Sequence, residues 1–275
     1  MRTLWAGAAI AVAADEGAAA RIDACRSGVA RTQTKPIDCS SGYFGPDASQ
    51  KGRVVQLPRE PRAVIFDMDG LLLDTIPAYA AAMVEASLDV EHPVSREYVL
   101  SLAGLLGAEL EARLSADLGA GFPVAAYFTA MSARLEPRLA AGVPLKAGAI
   151  ELLEALFQRG TPLAIATSMK RSEAMHHLQV NGIGHFFRQI AGRDDVARGK
   201  PHPDVHLEAA SRLAVAPRDC VVLEDSFNGV RAAHAAGAMT VMVPDALAPT
   251  DDIGRLCVVV CPSLHDVRDM LCAEQ

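Results

Sequence analysis

The chain has 275 residues, and 51% of them are hydrophobic, which is enough for a large buried core and excludes a wholly disordered protein. Its 26 basic and 33 acidic side chains give a formal net charge of −7 at neutral pH, which argues against a protein that binds nucleic acid by neutralising phosphates. Every apolar run is shorter than the roughly 18–20 residues that a membrane-spanning helix needs, so we expect no membrane segment.

Residues 1–57 differ in composition from the rest of the chain. An apolar, Ala-rich run behind Arg2 leads into a stretch that is dense in Ser, Thr, Gly, Pro and Gln and has no period of 2 or 3.6. We expect a disordered leader or an over-long gene start, without a role in the chemistry. The six cysteines contain no CxxC pair, and this pattern favours a cytoplasmic protein with free thiols.

The first organised segment is a short apolar run at residues 63–66, which predicts a buried strand of a parallel sheet. After it, apolar residues recur at three- and four-residue spacing, and glycines and prolines interrupt the pattern. The spacing predicts a block of four helices at residues 78–88, 95–106, 108–118 and 124–139.

Helix and strand patterns alternate from Gly148 onwards. Strands are predicted at residues 163–166, 189–191, 221–223, 240–243 and 258–261. Helices are predicted at residues 148–159, 172–180, 203–213, 228–236 and 264–271. Repeated βα units indicate an α/β fold with a doubly wound parallel sheet. We therefore expect a core of residues 58–76 and 147–275, with residues 77–146 inserted as an α-helical domain.

Polar side chains stand at the ends of three of the predicted strands, and Lys200 sits in the loop that follows the short strand at 189–191. Because ligands of open α/β sheets bind outside the carboxyl ends of the strands, we expect these side chains to share one site. In chain order they are Asp67 and Asp69, Thr167 and Ser168, Lys200, and Glu224 and Asp225. Like charges in a cleft repel and lose solvation, so the cluster is poor for stability. It suits a site that holds a divalent cation and a phosphoryl group.

The chemistry assigns roles to the acidic residues. Asp67 and Asp69 alternate around Met68, so in an extended strand end their side chains point to opposite sides. Asp67 is placed as a nucleophile, and Asp69 is then free to donate and accept a proton. A carboxylate attacks a phosphoryl group only if the negative charges of the two groups are screened from each other. Oxygens of Asp67, Asp225 and the Asp69 carbonyl suit Mg²⁺, and Glu224 either joins these metal ligands or supports them.

The remaining candidates bind the phosphoryl group. Lys200 is expected to pair with the oxygens that are transferred. Thr167 and the backbone amides near Met68 and Ser168 are expected to donate hydrogen bonds where charge gathers in the transition state. Lys200 and Thr167 therefore join Asp67 as catalytic candidates.

Four motifs, in the same order, resemble those of the haloacid dehalogenase superfamily. They are DMDGLLLDT at 67–75, Thr167 after an apolar strand, GKPHPD at 199–204 and LEDS at 223–226. The resemblance covers residues 62–245 and implies a Rossmann-like core with a helical cap between the first and second motifs. It points to the group of β-phosphoglucomutases and sugar-phosphate phosphatases. The helical block at 77–146 fits that cap, which closes over the substrate and helps to exclude water.

Other polar residues are expected to support the structure. Asp74 and Thr75 are expected to cap or brace the first cap helix, Asp204 the helix near Pro203, and Ser226 the helix after it. Lys170 and Arg171 either add a basic wall to the site or begin a solvated helix. Surface or packing positions are expected for His176, His177, His202 and His206.

The cap decides between a phosphatase and a sugar-phosphate mutase, because both share every core residue above. A mutase must hold a bisphosphate, which calls for cationic cap groups. Between Gly70 and Lys146 there is no lysine, and the arginines are Arg96, Arg113, Arg134 and Arg138. Residues 102–107 resemble the family's specificity loop, where Gly104 is a candidate substrate contact and Leu105 stands where a polar or basic residue could grip substrate. A dehalogenase has no aspartate two positions after the nucleophile, so Asp69 argues against one.

We therefore predict a Mg²⁺-dependent phosphatase of small phosphorylated metabolites, in particular sugar or polyol phosphates, that forms an aspartyl-phosphate on Asp67. One alternative is a mutase similar to β-phosphoglucomutase. An alternative of another class is a non-catalytic, phosphate-sensing relative, against which the intact site residues argue. The expected partner is a small phosphorylated substrate, without nucleic acid or membrane, and the chain is expected to be a monomer or a weak homodimer.

Overall fold

A computed structural model of the protein describes residues 57–102, 105 and 107–272. The leader predicted at 1–57 therefore lies outside the described residues except for Leu57. Gly104, the candidate substrate contact in the cap, also lies outside them.

The described residues form one sheet of six parallel strands, in the order β3-β2-β1-β4-β5-β6. The chain passes from β1 outwards to β3 and then returns to β4 on the other side of β1, which is the arrangement of a doubly wound fold. The α/β prediction is confirmed. The strands are β1 Ala63–Phe66, β2 Leu163–Ala166, β3 Gln189–Ala191, β4 Cys220–Glu224, β5 Met239–Met242 and β6 Val259–Val260.

Strand β1 lies in the middle of the sheet and is fully buried. Its side chains alternate between two apolar clusters: Val64 and Phe66 belong to one, and Ala63 and Ile65 belong to the other. Helices therefore cover both faces of the sheet, which explains why β1 reads as a continuous apolar run. The strand edge that carries Asp67 is held at the centre of the fold.

Four helices lie between β1 and the second half of the core: α1 Ile76–Asp89, α2 Arg96–Ser101, α3 Gly107–Leu118 and α4 Val124–Ala140. Helix α1 packs along α4. Tyr127 on α4 is buried and donates its hydroxyl hydrogen to the carbonyl oxygen of Met83 on α1 at 3.2 Å. Arg134 donates to both carboxylate oxygens of Asp89 at 2.6 Å, so apolar and charged contacts both join these two helices.

The remaining helices flank the sheet, and they are α5 Ala149–Gln158, α6 Arg171–Val180, α7 Asp204–Arg212, α8 Phe227–Ala235, α9 Asp251–Gly254 and α10 Leu264–Cys272. Most bounds agree with the sequence pattern within one or two residues. The helix predicted at 95–106 is wrong in length, because α2 ends at Ser101. Ser95 caps its start by accepting a hydrogen bond from the Tyr98 amide at 3.1 Å. The single turn of α9 was not predicted, since four residues are too few to show a helical period.

Two neighbouring segments join the inserted helices α1 to α4 to the sheet. The Asp74 amide donates to the Pro144 carbonyl oxygen, and the Lys146 amide donates to the Leu72 carbonyl oxygen, both at 2.8 Å. The outgoing and returning chains are thus paired at the point where they leave the sheet. Among the described helices, none combines the length and the apolar character needed to cross a membrane.

Candidate active site

The loop after β1 is tightly folded and presents two aspartates at the sheet edge. The Asp67 amide donates to the Leu223 carbonyl oxygen on β4 at 3.0 Å, and the Met68 carbonyl oxygen accepts from the amides of Leu72 and Leu73. Gly70 has a φ of +81°, a left-handed conformation that glycine adopts at little cost. The motif therefore folds as a compact turn that fixes Asp67 and Asp69 next to β4.

Lys200 lies between two buried carboxylates. Its Nζ atom is 2.6 Å from Asp67 Oδ1 and 2.7 Å from Glu224 Oε1. The side chains are 4% exposed for Lys200, 9% for Asp67 and 0% for Glu224. Burial alone would lower the pKa of Lys200, but the charges of Asp67 and Glu224 outweigh burial and raise it. Lys200 is therefore a cation at the pH of the cell.

The two aspartates of the loop hold their protons more tightly than ordinary carboxyl groups do. Burial raises the pKa of Asp67 to about 6, although Lys200 opposes the shift. Burial and the nearby charge of Asp67 raise the pKa of Asp69 to about 7. Asp69 can therefore gain and lose a proton near neutral pH, which a general acid and base needs.

Asp67, Glu224 and Asp225 form an acidic group that fits a metal ion. One carboxylate oxygen of each lies within 4.8 Å of the others. Burial, followed by the charges of Asp67 and Glu224, raises the pKa of Asp225 well above its usual value. Asp225 Oδ1 is also buried without a hydrogen-bond partner among the described residues. A divalent cation would satisfy that oxygen and offset the repulsion, and hard carboxylate oxygens are ligands that Mg²⁺ prefers.

Thr167 and Ser168 follow β2, the strand next to β1. Thr167 is buried, its amide donates to the Ala191 carbonyl oxygen at 3.0 Å, and its hydroxyl oxygen accepts from the Met169 amide at 3.1 Å. Since the hydroxyl accepts that bond, its own hydrogen can be donated elsewhere. The described contacts place Thr167 at the same edge as Asp67 without a direct bond between them.

The structure also locates the residues that were expected to play supporting parts. Ser226 caps α8 by accepting from the Gly229 amide at 3.1 Å, as predicted. Asp204 braces α7 and does not cap it: it is the first residue of the helix and pairs with Arg198 of the preceding loop at 3.0 Å. Thr75 stands before α1 without a side-chain capping bond.

The histidines occupy surface or packing positions, as predicted. His177 and His206 are buried, whereas His176 and His202 are exposed. His206 Nε2 lies 3.1 Å from Glu224 Oε1, and burial lowers the pKa of this histidine. His206 thus packs against Glu224 as a neutral group.

Two charged residues near the site were not singled out in the sequence. Asp245 lies three residues beyond the end of β5, and Lys146 lies at the return from the cap; Lys146 Nζ donates to Asp245 Oδ1 at 2.6 Å. The strand-end rule that found Asp67 and Asp225 also applies to Asp245, because β5 is parallel to β4. No sequence pattern identifies Lys146 as its partner.

Comparisons with known proteins agree with this geometry. Residues 64–243 match the family described as haloacid dehalogenase-like hydrolase. A probable pseudouridine-5'-phosphatase of Drosophila melanogaster is 36% identical over 197 residues, which cover 66% of this chain and 80% of that protein. Hexitol phosphatase A of Escherichia coli K12 is 31% identical, with 78% of this chain and 95% of that protein covered.

A solved structure shares the fold. The crystal structure of CbbY from Rhodobacter sphaeroides in complex with phosphate has a TM-score of 0.61 and 29% sequence identity, and the match covers 74% of this chain and 95% of that one.

A doubly wound parallel sheet with buried acids at the carboxyl ends of β1 and β4, and a buried lysine between them, is the arrangement expected of a hydrolase of the haloacid dehalogenase type. The chain belongs to the haloacid dehalogenase-like hydrolase family. The resemblance predicted from the four motifs is thereby confirmed. The predicted enzyme class, phosphoric monoester hydrolase, is confirmed as well, since the similar proteins bear phosphatase names.

Proposed function

We propose that this hydrolase is a Mg²⁺-dependent phosphatase that releases phosphate from small sugar or polyol phosphates through an aspartyl-phosphate on Asp67. The observation that carries the proposal is the buried contact of Lys200 with Asp67 beside Asp225 and Asp69. Phosphoryl transfer needs a nucleophile, a cation, a proton donor and a set of metal ligands. The residues proposed for these roles lie together at the carboxyl ends of the central strands.

The first half of the reaction uses Asp67 and Asp69. A carboxylate oxygen of Asp67 attacks phosphorus, and the ester P–O bond breaks. Asp69, which is protonated in part at neutral pH because its pKa is about 7, gives its proton to the leaving alkoxide. Lys200 neutralises Asp67 before the attack and then pairs with a transferred oxygen.

The second half returns the enzyme to its starting state. Asp69, now a carboxylate, takes a proton from a water molecule, and the resulting hydroxide attacks the phosphorus of the aspartyl-phosphate. The bond between phosphorus and Asp67 breaks, which restores the carboxylate and releases inorganic phosphate. Thr167, Ser168 and the Met68 amide are proposed to donate hydrogen bonds to the phosphoryl oxygens.

Asp67, Asp225 and the Asp69 carbonyl are the proposed ligands of Mg²⁺, with Glu224 as a supporting residue that Lys200 already engages. When bound, the ion would offset the negative charge of the carboxylates and of the phosphoryl group. The proposal agrees with the unpartnered Asp225 oxygen and with the raised pKa of that carboxyl group.

The cap favours a phosphatase over a mutase. Arg134 and Arg138 pair with Glu85 at 3.0 and 2.6 Å, and Arg113 pairs with Asp117 at 2.6 Å, so three of the four cap arginines are engaged within the cap. Leu105 packs against the apolar core. A remote second phosphate would find little positive charge on these described residues, whereas a neutral sugar or polyol needs none. Residues 77–146 are proposed to act as the closing cap, with Gly104 near the substrate.

The test is a phosphate-release screen with Mg²⁺ over sugar, polyol, nucleotide and glycolate phosphates, run beside glucose 1-phosphate interconversion. A phosphatase releases phosphate from a sugar or polyol phosphate, and the Asp67→Asn variant does not. Interconversion of glucose 1- and 6-phosphate without phosphate release would support the mutase. Binding of phosphate without either reaction would support the phosphate-sensing alternative.

We further propose a cytoplasmic location and a monomeric or weakly dimeric state. All the cysteines in the described part of the chain, Cys220, Cys257, Cys261 and Cys272, are free thiols, which suits a reducing compartment. Fractionation of cells and sedimentation of the purified chain test the two statements.

A further inference from the structure

Lys146 and Asp245 form an ion pair beside the candidate cation site, and the proposed reaction gives neither residue a part. Lys146 Nζ lies 2.6 Å from Asp245 Oδ1 and 3.8 Å from Asp74 Oδ1. The exposed fractions of the side chains are 27% for Lys146 and 16% for Asp245. Because the pair is largely sheltered, solvent screens it less than it screens a pair on the open surface.

The two partners come from segments next to the site loop and next to the sheet. The Lys146 amide donates to the Leu72 carbonyl oxygen at 2.8 Å, and Leu72 belongs to the loop that carries the two site aspartates. Asp245 follows β5, the strand that pairs with β4 and its terminal Glu224. The ion pair therefore links the return from the inserted helices to the loop after β5, beside the loop that carries the site aspartates.

The second carboxylate oxygen of Asp245 is left without a donor by the described residues. Asp245 Oδ2 is buried and has no hydrogen-bond partner among the described residues. A methyl group added to Gly70 would lie 3.3 Å from this oxygen and would collide with Asp225 Oδ2. The carboxylates of Asp225 and Asp245 thus flank the same glycine. A buried acceptor without a donor is costly, so a donor is expected there.

We propose that Asp245 is a positioning residue of the cation site. Lys146 pairs with one carboxylate oxygen, and the other would accept hydrogen bonds from water molecules that Mg²⁺ retains when it binds at Asp225. Such outer contacts orient metal ligands and contribute to metal affinity. This inference rests on the proposed magnesium site of the phosphatase. It extends that site to β5, a strand that contributes none of the ligands proposed above.

Calorimetric titration of Mg²⁺ into the full-length chain tests the inference without turnover. Asp245→Asn keeps the shape and removes the charge, so it should raise the dissociation constant about tenfold. Lys146→Met removes a competing positive charge and leaves Asp245 in place, so this variant should bind Mg²⁺ at least as tightly as the original chain. Asp89→Asn, which breaks a cap ion pair with Arg134, is the matched control and should bind unchanged.

The outcomes distinguish a failure of the proposed magnesium site from a failure of the inference about Asp245. If the original chain binds no Mg²⁺, the proposed magnesium site itself is wrong. If it binds Mg²⁺ and Asp245→Asn binds equally well, the inference is overturned while the function stands. If Asp245→Asn and Lys146→Met lose the same amount of Mg²⁺ affinity, the ion pair is a structural contact only, and the inference is again overturned. Should Asp245→Asn not fold, Asp245→Ser is measured in its place: Mg²⁺ binding weaker than that of the original chain supports the inference, and equal binding overturns it.

Discussion

Lys200 contacts Asp67 across the sheet edge, with 2.6 Å between Nζ and Oδ1, although 133 residues separate the two in the sequence. The same ammonium group lies 2.7 Å from Glu224 Oε1. One buried cation therefore compensates two buried carboxylates from neighbouring strands.

Replacement of Lys200 by methionine should destabilise the protein strongly. The variant leaves Asp67 and Glu224 buried without their cation, and loss of one partner of a buried ion pair costs about 3–5 kcal/mol. Urea unfolding at pH 8 in EDTA measures the free energy of unfolding. Lys170→Met, a change of the same kind at a half-buried helix start, should cost less than about 1 kcal/mol. Equal costs for the two variants would contradict the buried compensation.

Asp67→Asn should abolish phosphate release while the fold persists. The amide is a poor nucleophile, so the rate should fall by about 10³-fold or more. Glu224 remains as a buried counter-ion of Lys200, and the amide oxygen at position 67 can still accept a hydrogen bond from Lys200, so the unfolding temperature should change little. Phosphate release with Mg²⁺ and thermal unfolding provide the two measurements. Unchanged turnover in this variant would assign the nucleophile to another residue.

The pH dependence of stability should reveal the raised pKa of Asp69. Its pKa is raised from 3.8 to about 7 in the folded state, chiefly by burial and then by the charge of Asp67. The folded chain therefore holds a proton that the unfolded chain has already lost. The stabilisation that this proton brings is fully present below pH 4 and is lost as the pH rises through 7.

Asp69→Asn isolates this effect, because groups common to both proteins cancel, His206 among them. In EDTA, the unfolding free energy of the original chain should fall relative to that of Asp69→Asn between pH 4 and pH 7. Urea unfolding of both proteins at intervals of half a pH unit provides the comparison. A constant difference across this range would show that the pKa of Asp69 is not raised.

Much of this site could be predicted from the sequence, because most of its polar residues directly follow a short apolar run. Asp67, Thr167 and Asp225 each stand next to a strand of four or five buried residues, so their edge of the sheet follows from topology alone. Only the three-dimensional structure shows that Lys200 contacts two acids, since its loop has no regular period.

Other features carried a signal that is too weak or too local to interpret in the sequence. Asp245 stands three residues beyond β5, after Pro244, in a run without a recognisable motif. The partner of Asp245, Lys146, lies 99 residues away at the cap return. The end of α2 at Ser101 was also missed, because the apolar spacing continues past the last helical turn. Periodicity reports which face is buried, and it does not fix where a helix ends.

Gly70→Ala should weaken both the fold and the binding of Mg²⁺. The left-handed φ of +81° costs a residue with a side chain about 1–2 kcal/mol, and the added methyl group would also collide with the Asp225 carboxylate.

Gly237 shares the first cost without the second, because its φ is +77° and no atom lies within 4 Å of the added carbon. Gly237→Ala is therefore the matched control. The difference in unfolding free energy between the two variants therefore measures the cost of displacing Asp225. We expect Gly70→Ala to be less stable than Gly237→Ala and to bind Mg²⁺ about tenfold more weakly in calorimetry. Equal stability and equal Mg²⁺ affinity in the two variants would show that Asp225 does not lie against Gly70, and the cation site would lose its central ligand.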